Sequence, residues 1–297
     1  MSITTVAILS PGDMGHSVGA VLKENGMRIV TCLKGRSERT AELAAEAGFE
    51  DLPSLEDVVS ESDVIMSILV PGAAREIASQ VANALRATSA DVLFVDCNAV
   101  APSTARDVAR IIESAGGRMV DAGIIGPPPT RPGNRFYASG PGTKEFATLN
   151  QYGLDIRPLP GEVGQASGLK VCYAAMTKGL QALGLELLVA ADAMGLHDEL
   201  AAEQAESMST VRGWIERSIP TMPPKAHRWV SEMEEIAQAF ADLGMTPKLF
   251  QGVADMYRLV AETPVGRETP ENRDTSRDAN GVFAAVAESL NVPTGGR

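Results

Sequence analysis

From Thr5 to Ser139 the sequence alternates short β-branched or apolar runs with helix-like stretches of about 10 to 15 residues, and few architectures accept that alternation. Parallel strands cannot be joined by a tight turn; they need a crossover, which a helix of that length supplies. The pattern predicts βαβ units and a doubly wound, mostly parallel α/β sheet covered on both faces. Strands are expected at Thr5–Leu9, Arg28–Cys32, Val64–Ile68, Val92–Asp96 and Arg118–Asp121, with Phe136–Ser139 as a weaker sixth. Helices are expected at Gly15–Asn25, Arg39–Ala47, Ala73–Leu85 and Ala105–Ser114. Pro71, Pro102 and Pro127–Pro129 fall where strands must end.

After Pro158-Leu-Pro160-Gly161 the alternation stops, and helices are expected at Ala166–Met194, His197–Arg217, Lys225–Leu243, Pro247–Val260 and Ser276–Leu290. The chain therefore divides at about residue 160 into an α/β domain, 1–160, and an all-helical domain, 161–297, joined by a long interdomain helix. Glu262–Asp278 reads as an exposed connection, and the tail from Pro293 is expected to fray. A formal charge of −12 excludes a basic nucleic-acid surface as the default. Cys32, Cys97 and Cys172 show no C-x-x-C spacing, and the histidines no metal-ligand spacing, so a reducing, cytoplasmic setting and no metal are expected. Val171–Leu196 is interrupted by Lys178, Glu186 and Asp192, so no membrane span is expected.

The first strand runs into Ser10-Pro11-Gly12-Asp13-Met14-Gly15. A dinucleotide fingerprint reads G-x-G-x-x-G; here Ser10 replaces the first glycine, and Gly12 and Gly15 hold the other two places. Gly12 would let the backbone approach a pyrophosphate, Gly15 would let helix pack on strand, and the helix N-terminus favours the anion. Gly15-His16-Ser17-Val18-Gly19 also matches the G-x-S-x-G elbow of serine hydrolases, but Ser17 lies too far past the strand for that turn. The second strand leads to Lys34-Gly35-Arg36-Ser37, where an NAD site normally has Asp or Glu. Arg36 and Ser37 suit a 2′-phosphate, so NADP(H) is expected over NAD(H).

With these segments the chain resembles the β-hydroxyacid dehydrogenase family, which includes 3-hydroxyisobutyrate dehydrogenase, 6-phosphogluconate dehydrogenase and the imine reductases. The likeness covers most of residues 4–245 and implies a Rossmann domain followed by the helical one. The family's G-L-G-x-M-G turn is matched by Ser10–Gly15, its cofactor loop by Leu69-Val70-Pro71, and its D-x-S/N-x-x-x-P segment by Asp96-Cys-Asn98-Ala-Val-Ala-Pro102. Its substrate loop corresponds to Asp121-Ala-Gly-Ile-Ile125-Gly126-Pro127, with Ile125 in place of a carboxylate-binding serine. Its catalytic lysine corresponds to Lys170, while Tyr173 and Ala174 replace two asparagines. The resemblance also implies a homodimer formed through the helical domains.

On one helix, Lys170, Tyr173, Thr177, Lys178 and Gln181 would form a single polar stripe, expected to face a cleft between the domains. Hydride transfer to or from an alcohol carbon needs a group that takes or returns the hydroxyl proton. Lys170 is expected to be that acid/base, with Tyr173 and Asn98 orienting the reacting oxygen. Ile125, Gly126, Thr177, Lys178, His227 and Arg228 are candidates for holding a small anionic substrate, with Arg131 and Arg135 as further cations and Trp229 as a possible wall. The plainer alternative pairs Arg228 with Glu232 on its own helix. The expected activity is that of an NADP-dependent oxidoreductase acting on a hydroxy acid or related alcohol or carbonyl. The alternatives are an imine or enamine reductase, or a dinucleotide-binding sensor without turnover.

Overall fold

A computed structural model describes residues 3–290; the tail from Pro293 lies outside the described residues. The chain forms two compact units, Met1–Cys172 and Tyr173–Arg297. The division falls inside the long helix because the start of that helix is bound to the sheet.

The first unit holds β1 (Thr5–Leu9), α1 (Gly15–Glu24), β2 (Arg28–Thr31), α2 (Glu38–Glu46), β3 (Glu50–Asp51), α3 (Leu55–Glu61), β4 (Val64–Ser67), α4 (Ala74–Thr88), β5 (Leu93–Asp96), α5 (Pro102–Glu113), β6 (Arg118–Ile125), β7 (Arg135–Ser139), α6 (Thr143–Phe146) and β8 (Ile156–Pro158). The strands form one sheet in the order β3-β2-β1-β4-β5-β6-β7-β8. All neighbours are parallel except β6 and β7. The alternation of strand side chains feeds two cores. Val6 and Ile8 of β1 pack with Val18 and Leu22 of α1, whereas Ala7 and Leu9 face Ala78 and Val81 of α4. Both faces are covered, which is why β1 reads as an unbroken apolar run.

The order reverses between β1 and β4, so the loops after these strands flank the switch point where such sheets bind ligands. Four short elements were not expected: β3, α3, α6 and β8. The expected end of the fifth strand at Asp121 is corrected, since β6 continues to Ile125 with Asp121 buried inside it.

The long helix α7 (Gln165–Ala193) begins in the first unit and continues into the second. The second unit adds α8 (His197–Ser207), α9 (Ser209–Ser218), α10 (Ala226–Asp242), α11 (Lys248–Glu262) and α12 (Ala279–Ser289). The single helix expected over His197–Arg217 is two helices, broken at Met208, whose φ of −138° is not helical. The break lets Arg212 of α9 reach back to donate to the Ala201 carbonyl at 2.6 Å. Gly184 admits close packing of α7 on α9, for a Cβ there would meet Ile215 Cγ2 at 2.8 Å. Stacked Phe240 and Phe250, with centroids 5.1 Å apart, join α10 to α11.

Candidate active site

Past β1 the chain turns through Ser10–Met14 into α1. Ser10, at the place where the fingerprint has glycine, adopts the left-handed backbone that explains that preference, with φ +59°. Its carbonyl accepts from Gly12 N at 2.7 Å. The other two glycines have distinct roles. A Cβ at Gly12 would meet nothing within 4 Å, so the backbone is open to an approaching group. A Cβ at Gly15 would lie 3.1 Å from Ile8 Cγ2 and 3.3 Å from Ser10 O, pushing α1 away from β1. No side chain caps α1 at Met14, and although His16 N is bound to Gly12 O at 3.0 Å, the remaining first-turn amides are left for an anion. Open backbone and an uncapped helix start fit a dinucleotide pyrophosphate. Ser17 is buried within α1 and donates its hydroxyl hydrogen to Asp13 O at 3.1 Å, so it occupies no nucleophile elbow.

Across the switch point, Leu69-Val70-Pro71 follows β4, and Val70 is exposed. This loop is held by Asn98, a buried residue after β5. Asn98 Oδ1 accepts from Leu69 N at 2.6 Å, and Nδ2 donates to Ser67 Oγ at 2.9 Å and to Asp96 Oδ1. Both amide hydrogens are thus committed inside the protein. The expectation that Asn98 orients a reacting oxygen is corrected accordingly: the side chain positions the loop. Burial, with Asp96 and Asp121 nearby, pushes the Cys97 thiol up, which keeps it a neutral packing group.

After β2, Arg36 and Ser37 lie exposed beside Lys34. The guanidinium of Arg36 has no partner among the described residues, whereas Ser37 caps α2, its Oγ accepting from Thr40 N at 3.2 Å. One cation was missed by sequence reasoning. Arg39, in the first turn of α2, reaches Asp13 of the glycine turn with Nη2 2.5 Å from Oδ1.

Lys170 is placed by two residues whose roles the sequence did not reveal. Asp121 Oδ2 accepts from Gly164 N at 2.8 Å, Ser167 N at 3.0 Å and Ser139 Oγ at 3.0 Å, and Oδ1 accepts from Ser167 Oγ at 2.6 Å. A strand carboxylate thus caps the long helix from outside it. Two residues along β6, a Cβ at Gly123 would lie 2.9 Å from both Ala166 O and Lys170 Cβ. Only glycine lets α7 lie this close, and the contact sets the base of the Lys170 side chain against the carboxyl-terminal half of β6. Lys170 is half-buried, and among the described residues it has neither hydrogen bond nor ion pair. Ile125 is buried at the end of β6, and Gly126 (φ +111°) turns tightly against Gly133. In the loop that follows, Arg131 is exposed and Arg135 half-buried.

The remaining candidates lie in the helical unit. Tyr173 is 48% exposed on α7, and Thr177 bonds back to the Tyr173 carbonyl at 3.2 Å. Lys178, expected to meet a substrate anion, is instead half-buried and paired with Glu232 of α10, and sits 4.7 Å from the Trp229 ring centroid. Tyr257 completes this cluster, donating to the Lys178 carbonyl at 2.7 Å, and burial followed by the Glu232 charge raises its phenol, keeping it a neutral donor. Gln181, the last member of the expected stripe, is buried. The stripe is therefore not uniformly polar surface: its second half is interior. His227 is exposed and Arg228 half-buried on the first turn of α10.

Residues 5–143 match the family model of the NAD binding domain of 6-phosphogluconate dehydrogenase, and residues 191–260 match a domain of unknown function, DUF1932. A solved conserved protein of unknown function, described as structurally similar to 3-hydroxyacid dehydrogenases, is 30% identical over 87% of this chain and 97% of its own, with a TM-score of 0.65. The Mycobacterium tuberculosis 3-hydroxyisobutyrate dehydrogenase with L-serine is 22% identical, covering 98% of this chain and all of that one, with a TM-score of 0.69. An imine reductase variant from Myxococcus stipitatus in complex with NAD+ shares the fold at 19% identity, covering 98% of this chain and all of that one, with a TM-score of 0.55.

Proposed function

Because the chain belongs to the β-hydroxyacid dehydrogenase family, whose 3-hydroxyisobutyrate dehydrogenases are NAD(P)-dependent oxidoreductases acting on CH–OH groups, we propose that it transfers a hydride between NADP(H) and a small anionic hydroxy acid or related alcohol or carbonyl compound. The observation that carries this reading is Lys170, fixed by Gly123 and Asp121 and without hydrogen bond or ion pair among the described residues. A half-buried lysine so placed suits a proton-transfer role beside an anionic ligand.

In this reading Ser10–Met14 hold the pyrophosphate, Arg36 and the capped start of α2 at Ser37 hold a 2′-phosphate, and Leu69, Val70 and Pro71 flank the cofactor. The bound nicotinamide supplies or accepts the hydride. Lys170 Nζ, as the neutral amine, takes the hydroxyl proton as the carbonyl forms, and as the ammonium it returns the proton in reduction. Tyr173 orients the reacting oxygen, Asn98 positions the cofactor loop, and Ile125 and Gly126 bound the substrate loop. Ile125 offers no hydroxyl to a substrate carboxylate, so a cation such as Arg131 carries that contact. Thr177, His227 and Arg228 are secondary candidates for the substrate.

We also place the protein in the cytoplasm as a homodimer. Leu183, Met208 and Val211, all exposed, line one apolar groove in the helical unit, which suits a second copy. A second reading, reduction of a cyclic imine, is favoured by Tyr173 standing one helical turn after Lys170.

The test is NADPH and NADH binding by thermal shift, followed by turnover on 2- and 3-hydroxy acids, hydroxy aldehydes and cyclic imines. Lys170→Ala should lower turnover by about 10²-fold or more while NADPH affinity stays within about twofold. Near wild-type turnover would refute the lysine assignment, and stabilisation by NADH alone would refute the NADP preference. Binding without turnover on any substrate would favour a sensor.

A further inference from the structure

From the Asp13–Arg39 pair we infer a charge device in the cofactor turn. Arg39 neutralises Asp13 beside the amides that receive the pyrophosphate, so that Arg39 sets affinity for both NADPH and NADH. This inference rests on the dinucleotide reading of the turn and goes beyond its 2′-phosphate contacts.

Asp13 lies between the two glycines of the turn, one residue before Met14, where α1 starts without a side-chain cap. An aspartate just before a helix start brings its carboxylate near the first-turn amides and the positive end of the helix dipole. Those amides are the groups a pyrophosphate needs. A carboxylate left there would compete as a ligand and repel as a like charge. In the structure Arg39 offsets that charge, with Nη2 2.5 Å from Asp13 Oδ1. Arg39 can reach it because Ser37 starts α2 immediately beforehand, setting Arg39 in the first helical turn. The Asp13 carbonyl is bound separately, by Ser17 Oγ at 3.1 Å, so the backbone of the turn does not depend on the ion pair. The pair is partly exposed, with side-chain accessibilities of 40% for Arg39 and 25% for Asp13, so breaking it should leave the fold intact.

The three roles open to Arg39 differ in their patterns of affinity. A charge-balancing role makes Arg39→Gln weaken NADPH and NADH alike, and makes Asp13→Asn repair that loss. A direct 2′-phosphate contact makes Arg39→Gln weaken NADPH alone. A merely structural tie makes either single change harmful and the double change no better.

Isothermal titration of the full-length protein with NADPH and with NADH, in wild type, Arg39→Gln, Asp13→Asn, the double variant and Arg36→Gln, separates them. Circular dichroism melts check that each variant is folded. The expected result is about fivefold weaker binding of both nucleotides by Arg39→Gln, the size of one screened surface charge interaction. The double variant should return to within about twofold of wild type, and Asp13→Asn alone should bind at least as tightly as wild type. A double variant as weak as Arg39→Gln, or a loss confined to NADPH, overturns the inference. Arg36→Gln reports separately on the NADP preference and is expected to weaken NADPH alone. Wild-type protein that binds neither nucleotide overturns the dinucleotide reading together with this one.

Discussion

Replacing Ser10 with glycine should stabilise the protein, and the amount follows from the backbone. Ser10 has a φ of +59° where the family turn has glycine. For an L-residue the left-handed conformation costs roughly 1–2 kcal/mol. Glycine escapes that penalty but loses roughly 0.5–1 kcal/mol more conformational freedom on folding. No side-chain bond enters the balance, since the Ser10 hydroxyl has no partner among the described residues, and the Gly12 N to Ser10 O bond is backbone and survives. The difference leaves about 0.7 kcal/mol in favour of Ser10→Gly, or about 2 °C in melting temperature for a unit of this size. Differential scanning calorimetry measures it. Ser10→Ala keeps the strain and should melt near wild type, while Ser10→Val adds β-branching and should melt lower. Ser89, also left-handed with φ +55° but at the end of α4, serves as a remote comparison, and Ser89→Gly should gain a similar amount. If Ser89→Gly raised the melting temperature and Ser10→Gly did not, the strain argument for the turn would fail.

Three further outcomes are expected. Gly123→Ala should lower stability by about 2 kcal/mol or more and shift Lys170, because its Cβ falls 2.9 Å from Ala166 O and Lys170 Cβ; calorimetry and turnover together check this. In the helical unit, Glu232→Gln leaves the half-buried Lys178 ammonium without its carboxylate and should cost about 2 kcal/mol, while Lys178→Met with Glu232→Leu should recover most of that loss in urea melts. Asp63 is held below the usual carboxylate range: partial burial raises it, but Thr4 N, Thr5 N and Thr4 Oγ1 all donate to Oδ2 and outweigh that. A depressed acid contributes stability above its unfolded value of about 3.9, and that stability is lost as pH falls through the lower folded value. Asp63→Asn should therefore melt lower at neutral pH and show a shallower decline in acid.

The parts of the fold that were legible in the sequence are those where local pattern and tertiary environment agree. Thr5–Leu9 is apolar throughout and bounded by Ser-Pro-Gly, and β1 has those limits. Asp121 misled because an acid in an apolar run reads as a strand end, yet this carboxylate is buried and satisfied by donors 18 to 46 residues away. β3 is two exposed acidic residues at a sheet edge, too short for any period to register. α3 did carry a readable signal: Ser54-Leu-Glu-Asp57 is a capping pattern, and Ser54 Oγ accepts from Asp57 N at 3.1 Å. The position of Lys170 came from the family register. The glycine that makes room for it lies 47 residues away on another element, and a sequence pattern cannot relate the two.

Charge shows the same limit more sharply, because a sequence counts cations but does not pair them. Lys178 looks like an anion-binding residue until Glu232, 54 positions later, is found against it, and Arg39 draws no notice until Asp13, 26 positions earlier, is found beneath it. Among the described residues Lys170 and Arg36 show no side-chain partner, as do surface cations such as Lys34, Lys144 and Lys248, but these two lie one on the substrate side of the proposed reaction and the other on the 2′-phosphate side. An unpaired cation at the carboxyl-terminal side of a parallel sheet is open to ligand charge in a way that a paired one is not. The net charge of −12 is therefore compatible with a local site for anions, because what marks the site is the place of an unpaired cation at the carboxyl-terminal side of the sheet.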